Sequence, residues 1–132
     1  MRFTALGFAV WLLIAAAAAG AQDPGPQRSV ADGVTISVTP TRVAADSKVW
    51  TFKVVLDTHS QDLSDDVAAG STLVDGKGRE VKAIGWDGAA PGGHHREGVL
   101  AFPAFDPVPD AIELRISRAG ESAVRSFRWQ LK

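Results

Sequence analysis

Trp50-Thr51-Phe52-Lys53-Val54-Val55-Leu56 decides the fold class. Trp50, Phe52, Val54 and Leu56 share one face, and Thr51 and Lys53 take the other. A period of two is what a half-buried strand requires, because successive side chains point to opposite sides of a pleated backbone. No stretch of the chain sustains the 3.6-residue period of a helix.

The same alternation continues on either side. Upstream, Val34, Ile36 and Val38 face one way and Thr35, Ser37 and Thr39 the other, until Thr39-Pro40 ends the strand. Downstream, a polar loop from His59 to Asp66 has room for one helical turn, capped by Asp62 or Ser64. Ser71 to Val74 reads as a short strand, Asp75-Gly76-Lys77-Gly78 as a turn, and Arg79 to Trp86 as the hairpin partner. A glycine-rich loop spans Asp87 to His95. Val99 to Phe102 is apolar on both faces. Pro103, Pro107 and Pro109 enforce a non-helical crossing whose Phe102 and Phe105 cover the core edge. Ile112, Leu114 and Ile116 alternate with Glu113 and Arg115, and Phe127, Trp129 and Leu131 with Arg128 and Gln130. Short strands at this spacing predict an all-β fold: an immunoglobulin-like antiparallel β-sandwich of about seven strands over residues 33–132. A small β-barrel is the alternative.

The chain opens on a targeting pattern. Arg2 precedes an apolar run from Phe3 to Ala19, and Ala19-Gly20-Ala21 supplies the small-x-small triplet of a cleavage site. Residues 1–21 are therefore expected to be a signal peptide and Gln22 the first mature residue. Residues 22–32, with their prolines and polar residues, are expected to be a flexible linker. The expected location is periplasmic or secreted, with no membrane attachment after cleavage.

Composition narrows the function. There is no cysteine among the 132 residues, so neither a disulfide framework nor a thiolate metal site exists. Met1 is the sole methionine. Without Arg2, 13 basic residues stand against 15 acidic ones, a balance that gives no footprint for nucleic acid. Hydrolase motifs such as Gly-x-Ser-x-Gly and His-Glu-x-x-His are missing.

One cluster could carry chemistry. All three histidines fall in two loops: His59 in Asp57-Thr58-His59-Ser60, and His94 and His95 in Gly92-Gly93-His94-His95-Arg96. Imidazole suits Cu(II) and Zn(II). After two glycines, adjacent histidines need not diverge as they would in a regular strand. The expected ligands are His59, His94 and His95, with Asp57, Trp86, Arg96 and Glu97 around them. The alternative makes the Gly-Gly-His-His-Arg turn purely structural, with one histidine on Trp86 and Arg96 paired to Asp87 or another acid. Asp62, Asp65 and Asp66 lack the alternating spacing of a calcium loop and read as a solvated turn. Trp50 and Trp129 are in phase with core residues.

Trp86-x-Gly88 together with Gly92-Gly93-His94-His95-Arg96-x-Gly98-Val99-Leu100-x-Phe102 resembles a pattern of small exported bacterial immunoglobulin-like domains of uncharacterised function. The resemblance covers the chain from Val34 onward and implies a β-sandwich without an assigned activity. Periplasmic copper-carrier sandwiches are of similar size but use an N-terminal histidine where this chain has Gln22. The expected function is a non-enzymatic binding module that takes a divalent transition metal at the histidine end. The alternative is a protein-interaction or envelope-assembly module with an envelope protein as its partner.

Overall fold

The computed structural model describes residues 24–132, so the expected signal peptide lies outside the described residues. Among the described residues nine strands run in sequence: β1 (Gln27–Ala31), β2 (Val34–Arg42), β3 (Val49–Thr58), β4 (Ser71–Asp75), β5 (Glu80–Lys82), β6 (Gly85–Gly88), β7 (His95–Pro103), β8 (Ala111–Ile116) and β9 (Arg125–Gln130). They form two antiparallel sheets. One is ordered β1-β2-β3-β7-β6 and the other β5-β4-β8-β9. No described residue is helical.

The inner faces are the ones the alternation marks. Val34, Ile36, Val38, Trp50, Phe52, Val54 and Leu56 meet Leu73, Leu114, Phe127 and Trp129 across the sandwich, all buried. Phe52 contacts Phe102 edge-on at 5.7 Å and lies 5.6 Å from Trp129. Phe105, from the proline-rich crossing, is buried against Trp50 at 6.0 Å and covers the core edge.

Three sequence expectations need correction. Gln27–Ala31, read as linker, is strand β1, paired along its length with β2. Its inward side chains are Gln27, Ser29 and Ala31, so it carries no apolar alternation to betray it. Arg79 to Trp86 is not one hairpin strand. Glu80–Lys82 pairs with β4, the chain crosses at Ala83 and Ile84, and Gly85–Gly88 pairs with β7 in the other sheet. The loop expected to hold one helical turn, His59 to Asp66, is not helical, and a hydrogen-bonded turn follows it at Asp66 to Gly70: Gly70 N–H donates to the Asp66 carbonyl, and the Asp66 carboxylate accepts from Ala69 N–H.

The crossing closes one flank of the sandwich. The other is closed by a side chain. The Gln27 amide donates to Arg128 O at 2.5 Å and accepts from Arg128 N–H at 3.1 Å, so it stands in for a neighbouring strand on the free edge of β9. The Trp129 indole donates to Gly25 O beside it.

Candidate functional site

The end of β3, the start of β7 and the turns beside them meet at one end of the sandwich. Thr58 N–H donates to His94 O at 2.9 Å, Leu63 N–H to Gly93 O at 2.9 Å, and Gly92 N–H to Leu63 O at 2.8 Å. Gly93 N–H donates to the Asp62 carboxylate. The two histidine loops therefore lie side by side. Gly92 and Gly93 have φ of 116° and 78°, a pair of conformations that side-chain-bearing residues rarely adopt.

The backbone proximity does not gather the three imidazoles. His59 and His94 are exposed. His95 stands on the outer face of its sheet, opposite Asp57 in the strand register. Its Nδ1 lies 2.5 Å from Asp57 Oδ1 and its Nε2 3.7 Å from Glu97 Oε2. Lys53 Nζ meets the other Glu97 oxygen at 2.9 Å. The result is a row of alternating charge, Asp57–His95–Glu97–Lys53. The hydrogen bond and charge of Asp57 raise the His95 pKa above 6.5. Lys53 foremost, with His95 behind it, holds the Glu97 carboxyl below its ordinary range. The Asp57 carboxylate favours the protonated ring, and an imidazole must free a nitrogen before it can ligate a metal. Among the described residues no three His, Asp or Glu side chains converge as a metal-binding group. The three histidines do not converge as one group among the described residues, and Asp57 and Glu97 lie against His95.

Arg96 is the residue the end is built around. It is 1% exposed, and its guanidinium donates to Leu63 O at 3.1 Å, to Asp65 O at 2.7 Å and, at 3.4 Å, to Ala89 O. It lies 5.6 Å from the centre of the Trp86 ring. Its Nε has no partner. The expected pairing with Asp87 does not occur, and it is Arg96, not a histidine, that packs on Trp86. The Trp86 indole donates to Ala89 O at 2.9 Å. Behind it, a Cβ on Gly98 would fall 2.5 Å from Trp86 Cζ2, and one on Gly88 would strike Gly98. The spaced Trp, Gly, Arg and Gly of the sequence pattern are therefore one packing unit that fixes the 89–95 loop.

Two more arginines complete the cap, and the sequence reading missed both. Arg118 pairs with Asp65 at 3.1 Å and Glu121 at 2.7 Å, and Arg125 pairs with the same Glu121 at 2.7 Å. Arg125 also donates to Ser29 O and Oγ, Ala31 O and Val34 O, which ties β9 to the β1–β2 hairpin. Its hydrogen bond, aided by Arg118, holds the Glu121 carboxyl below 4.5 against the opposing effect of burial. Each arginine continues the inward phase of its strand: Arg96 with Gly98 and Leu100, Arg118 with Leu114 and Ile116, Arg125 with Phe127 and Trp129. That phase was the available signal. Because long guanidinium stems can lie along apolar surface, such positions close a core with charge instead of with more hydrocarbon.

Trp86 and Phe105 do not form one patch. Trp86 pairs with Leu100 near the histidine end, and Phe105 is buried at the opposite end beneath Arg79.

No protein family and no curated protein matches the chain. A solved structure of a DUF4426 family protein from Pseudomonas aeruginosa PAO1 is similar to it over 80% of this chain and 94% of that one, with 11% identity and a TM-score of 0.48.

Proposed function

We propose that this protein is an exported, non-enzymatic binding module, periplasmic or secreted, built on an immunoglobulin-like sandwich. It engages an envelope protein through the end formed by the 59–66 and 89–95 loops. The observation that supports this is the burial of Arg96 beneath those loops. A cation desolvated to hold three backbone carbonyls is costly, and what it gives in return is a loop surface ordered before any partner arrives. Ordering in advance lowers the entropic cost of association. The core beneath is sealed by the arginine cap, which favours recognition at a surface over enclosure of a small molecule.

Site-specific photo-crosslinking in the exporting cell tests this. A crosslinking side chain at His94 should give one discrete adduct with an envelope protein, absent when the same group stands at Thr72 on the far sheet. No adduct, or the same adducts from both positions, defeats the reading.

A second reading keeps a transition metal. The Thr58–His94 hydrogen bond brings His59 and His94, the two imidazoles that Asp57 and Glu97 do not engage, onto adjoining loops. Two imidazoles could hold Cu(II) or Zn(II). Calorimetric titration of residues 22–132 should then show one-to-one binding that His59→Ala or His94→Ala removes and His95→Ala does not. Binding that survives both substitutions excludes this site.

A further inference from the structure

The outer face of the four-stranded sheet is hollowed at one end. Side chains cross it in register as Lys82–Thr72–Arg115–Ser126, then Glu80–Val74–Glu113–Arg128, then Ala111 beside Gln130. Long side chains fill the first two rows. The third is low, because Ala111 is small and the Gly76 that follows β4 has no side chain; a Cβ there would meet nothing within 4 Å. The result is a hollow of about 470 Å³ bordered by Val74, Gly76, Ala111, Arg115, Arg128 and Gln130. Small-molecule sites fall in the range of roughly 300–1,000 Å³. Val74 is its floor: it faces away from the core that Leu73 joins, yet is only 6% exposed. Past Gly76 and Ala111 the hollow runs on into a second, of about 310 Å³, walled by Pro107, Val108 and Pro109.

The floor and far wall are apolar, and the near rim is cationic. One carboxylate arranges that rim. Glu113 accepts from Arg115 Nε at 2.5 Å through one oxygen and from Arg128 Nε at 2.7 Å through the other. Each guanidinium is thereby fixed by its Nε and keeps its forked end for another acceptor. Arg115 Nη1 reaches Glu80 only at 3.5 Å. Among the described residues, Arg115 Nη2 and both Nη atoms of Arg128 meet no acceptor. Five Lys or Arg and three Asp or Glu line the two hollows together, an excess of positive charge in a chain whose formal charge is −1.

We propose that this hollow binds a small amphipathic anion, its carboxylate or phosphate head on the Nη groups of Arg115 and Arg128 and its apolar body over Val74 and Ala111 toward Val108. A guanidinium fork matches either head, and two forks held by one carboxylate present their donors together. Ala111 and Arg115 are four residues apart on β8, about 13 Å along the strand, so the body is elongated. Arg128 is three-quarters exposed, which keeps the head at the surface and leaves the apolar floor to add affinity. The hollow lies on the sheet that does not carry His95, so it depends on neither the histidine loops nor their partner.

NMR titration of the purified protein tests this with four probes: octanoate, octyl phosphate, octyltrimethylammonium and inorganic phosphate. At least one octyl anion should shift the amides of Val74, Gly76, Ala111 and Glu113 to saturation, and the tighter of the two names the head. The octyl cation should leave them in place, and inorganic phosphate, which lacks a body, should bind at least about tenfold more weakly. Arg115→Ala and Arg128→Ala should each weaken the octyl anion about tenfold, the effect of one charge-assisted hydrogen bond. Ala111→Leu, which fills the hollow and keeps both arginines, should weaken the octyl anions and leave inorganic phosphate unchanged. No saturable shift from either octyl anion overturns the proposal. So do equal shifts from the octyl cation, which would mean an apolar surface alone, and equal affinity for inorganic phosphate, which would mean charge alone. Undiminished binding in both arginine variants overturns it as well.

Discussion

The Trp86 ring lies flat over Gly98, with Cζ2, Cη2 and Cε2 all within 2.8 Å of where a Cβ would stand. No rotation of the alanine methyl avoids this, so the indole must leave its place and give up its bond to Ala89. Gly98→Ala should therefore cost about 1–3 kcal/mol, the range of overpacked cores. For a domain of this size that corresponds to a fall in Tm of roughly 10 °C. Gly85→Ala, where a Cβ meets nothing within 4 Å, is the control and should leave Tm unchanged. Thermal melts with tryptophan emission check both, and equal melting of the two variants would contradict the packing described.

Removing the Arg96 side chain takes the donor from the Asp65 carbonyl and leaves the Leu63 carbonyl with Gly92 N–H alone. Arg96→Ala is expected to cost about 2–4 kcal/mol in the unsatisfied acceptor and lost packing. Amides of Leu63, Gly92 and Gly93 should lose hydrogen-exchange protection before the strands do. Arg96→Lys should not rescue, because a single ammonium lacks the planar fork that reaches several carbonyls at once. Full protection in the lysine variant would show that charge alone is what the site needs.

The cap contributes to the pH dependence of the fold. The hydrogen bond from Arg125, with Arg118 second, depresses the Glu121 pKa below 4.5 in the folded chain. Its contribution is thus complete above the unfolded value and is lost as pH falls through the folded one. Protonation of Glu121 removes the carboxylate that the two guanidiniums share, leaving Arg118 with Asp65 and Arg125 with the Ser29 and Ala31 carbonyls. Glu121→Gln should lower Tm near neutrality and flatten its dependence on pH below about 4.5. A Tm profile parallel to that of the native chain would remove Glu121 from the account.

His95 works in the opposite sense. Its folded pKa is raised above 6.5, chiefly by Asp57 and more weakly by Glu97. The stabilisation is present below 6.5 and fades as pH rises through the folded value. Asp57→Asn should return the imidazole midpoint toward 6.5, followed through its ring-proton shifts in NMR. A midpoint that does not move would mean the Asp57–His95 contact is not kept in solution.

Most of the sandwich was legible because its strands alternate. Wherever Val, Ile, Leu, Phe or Trp recur every second residue, the strand and its inward face follow directly. β1 was not legible because its inward residues are Gln27, Ser29 and Ala31, and a strand held by hydrogen bonds leaves no hydrophobic period. The change of sheet at Ala83 and Ile84 was hidden for a related reason: alternation reports which way a side chain points, not which sheet lies beside it. At the histidine end the sequence drew attention to the loops and their histidines, and less to the arginines that hold them. His94 and His95 stand out as residue types. Arg96, Arg118 and Arg125 had to be noticed by phase, each extending an apolar face by two residues.

The Gln27–Arg128 seam bears on the fate of the protein when it is crowded. β9 presents Arg125 to Gln130 on a sheet margin, with Phe127 and Trp129 just behind, the kind of strand that templates cross-β growth when its backbone is left open. One primary amide occupies the middle of that margin, offering a donor and an acceptor where another chain would attach. Colloidal stability is thereby entrusted to the first residue of the first strand. Any event that trims or displaces the amino-terminal end would uncover a nucleus for fibrils while leaving the hydrophobic core untouched.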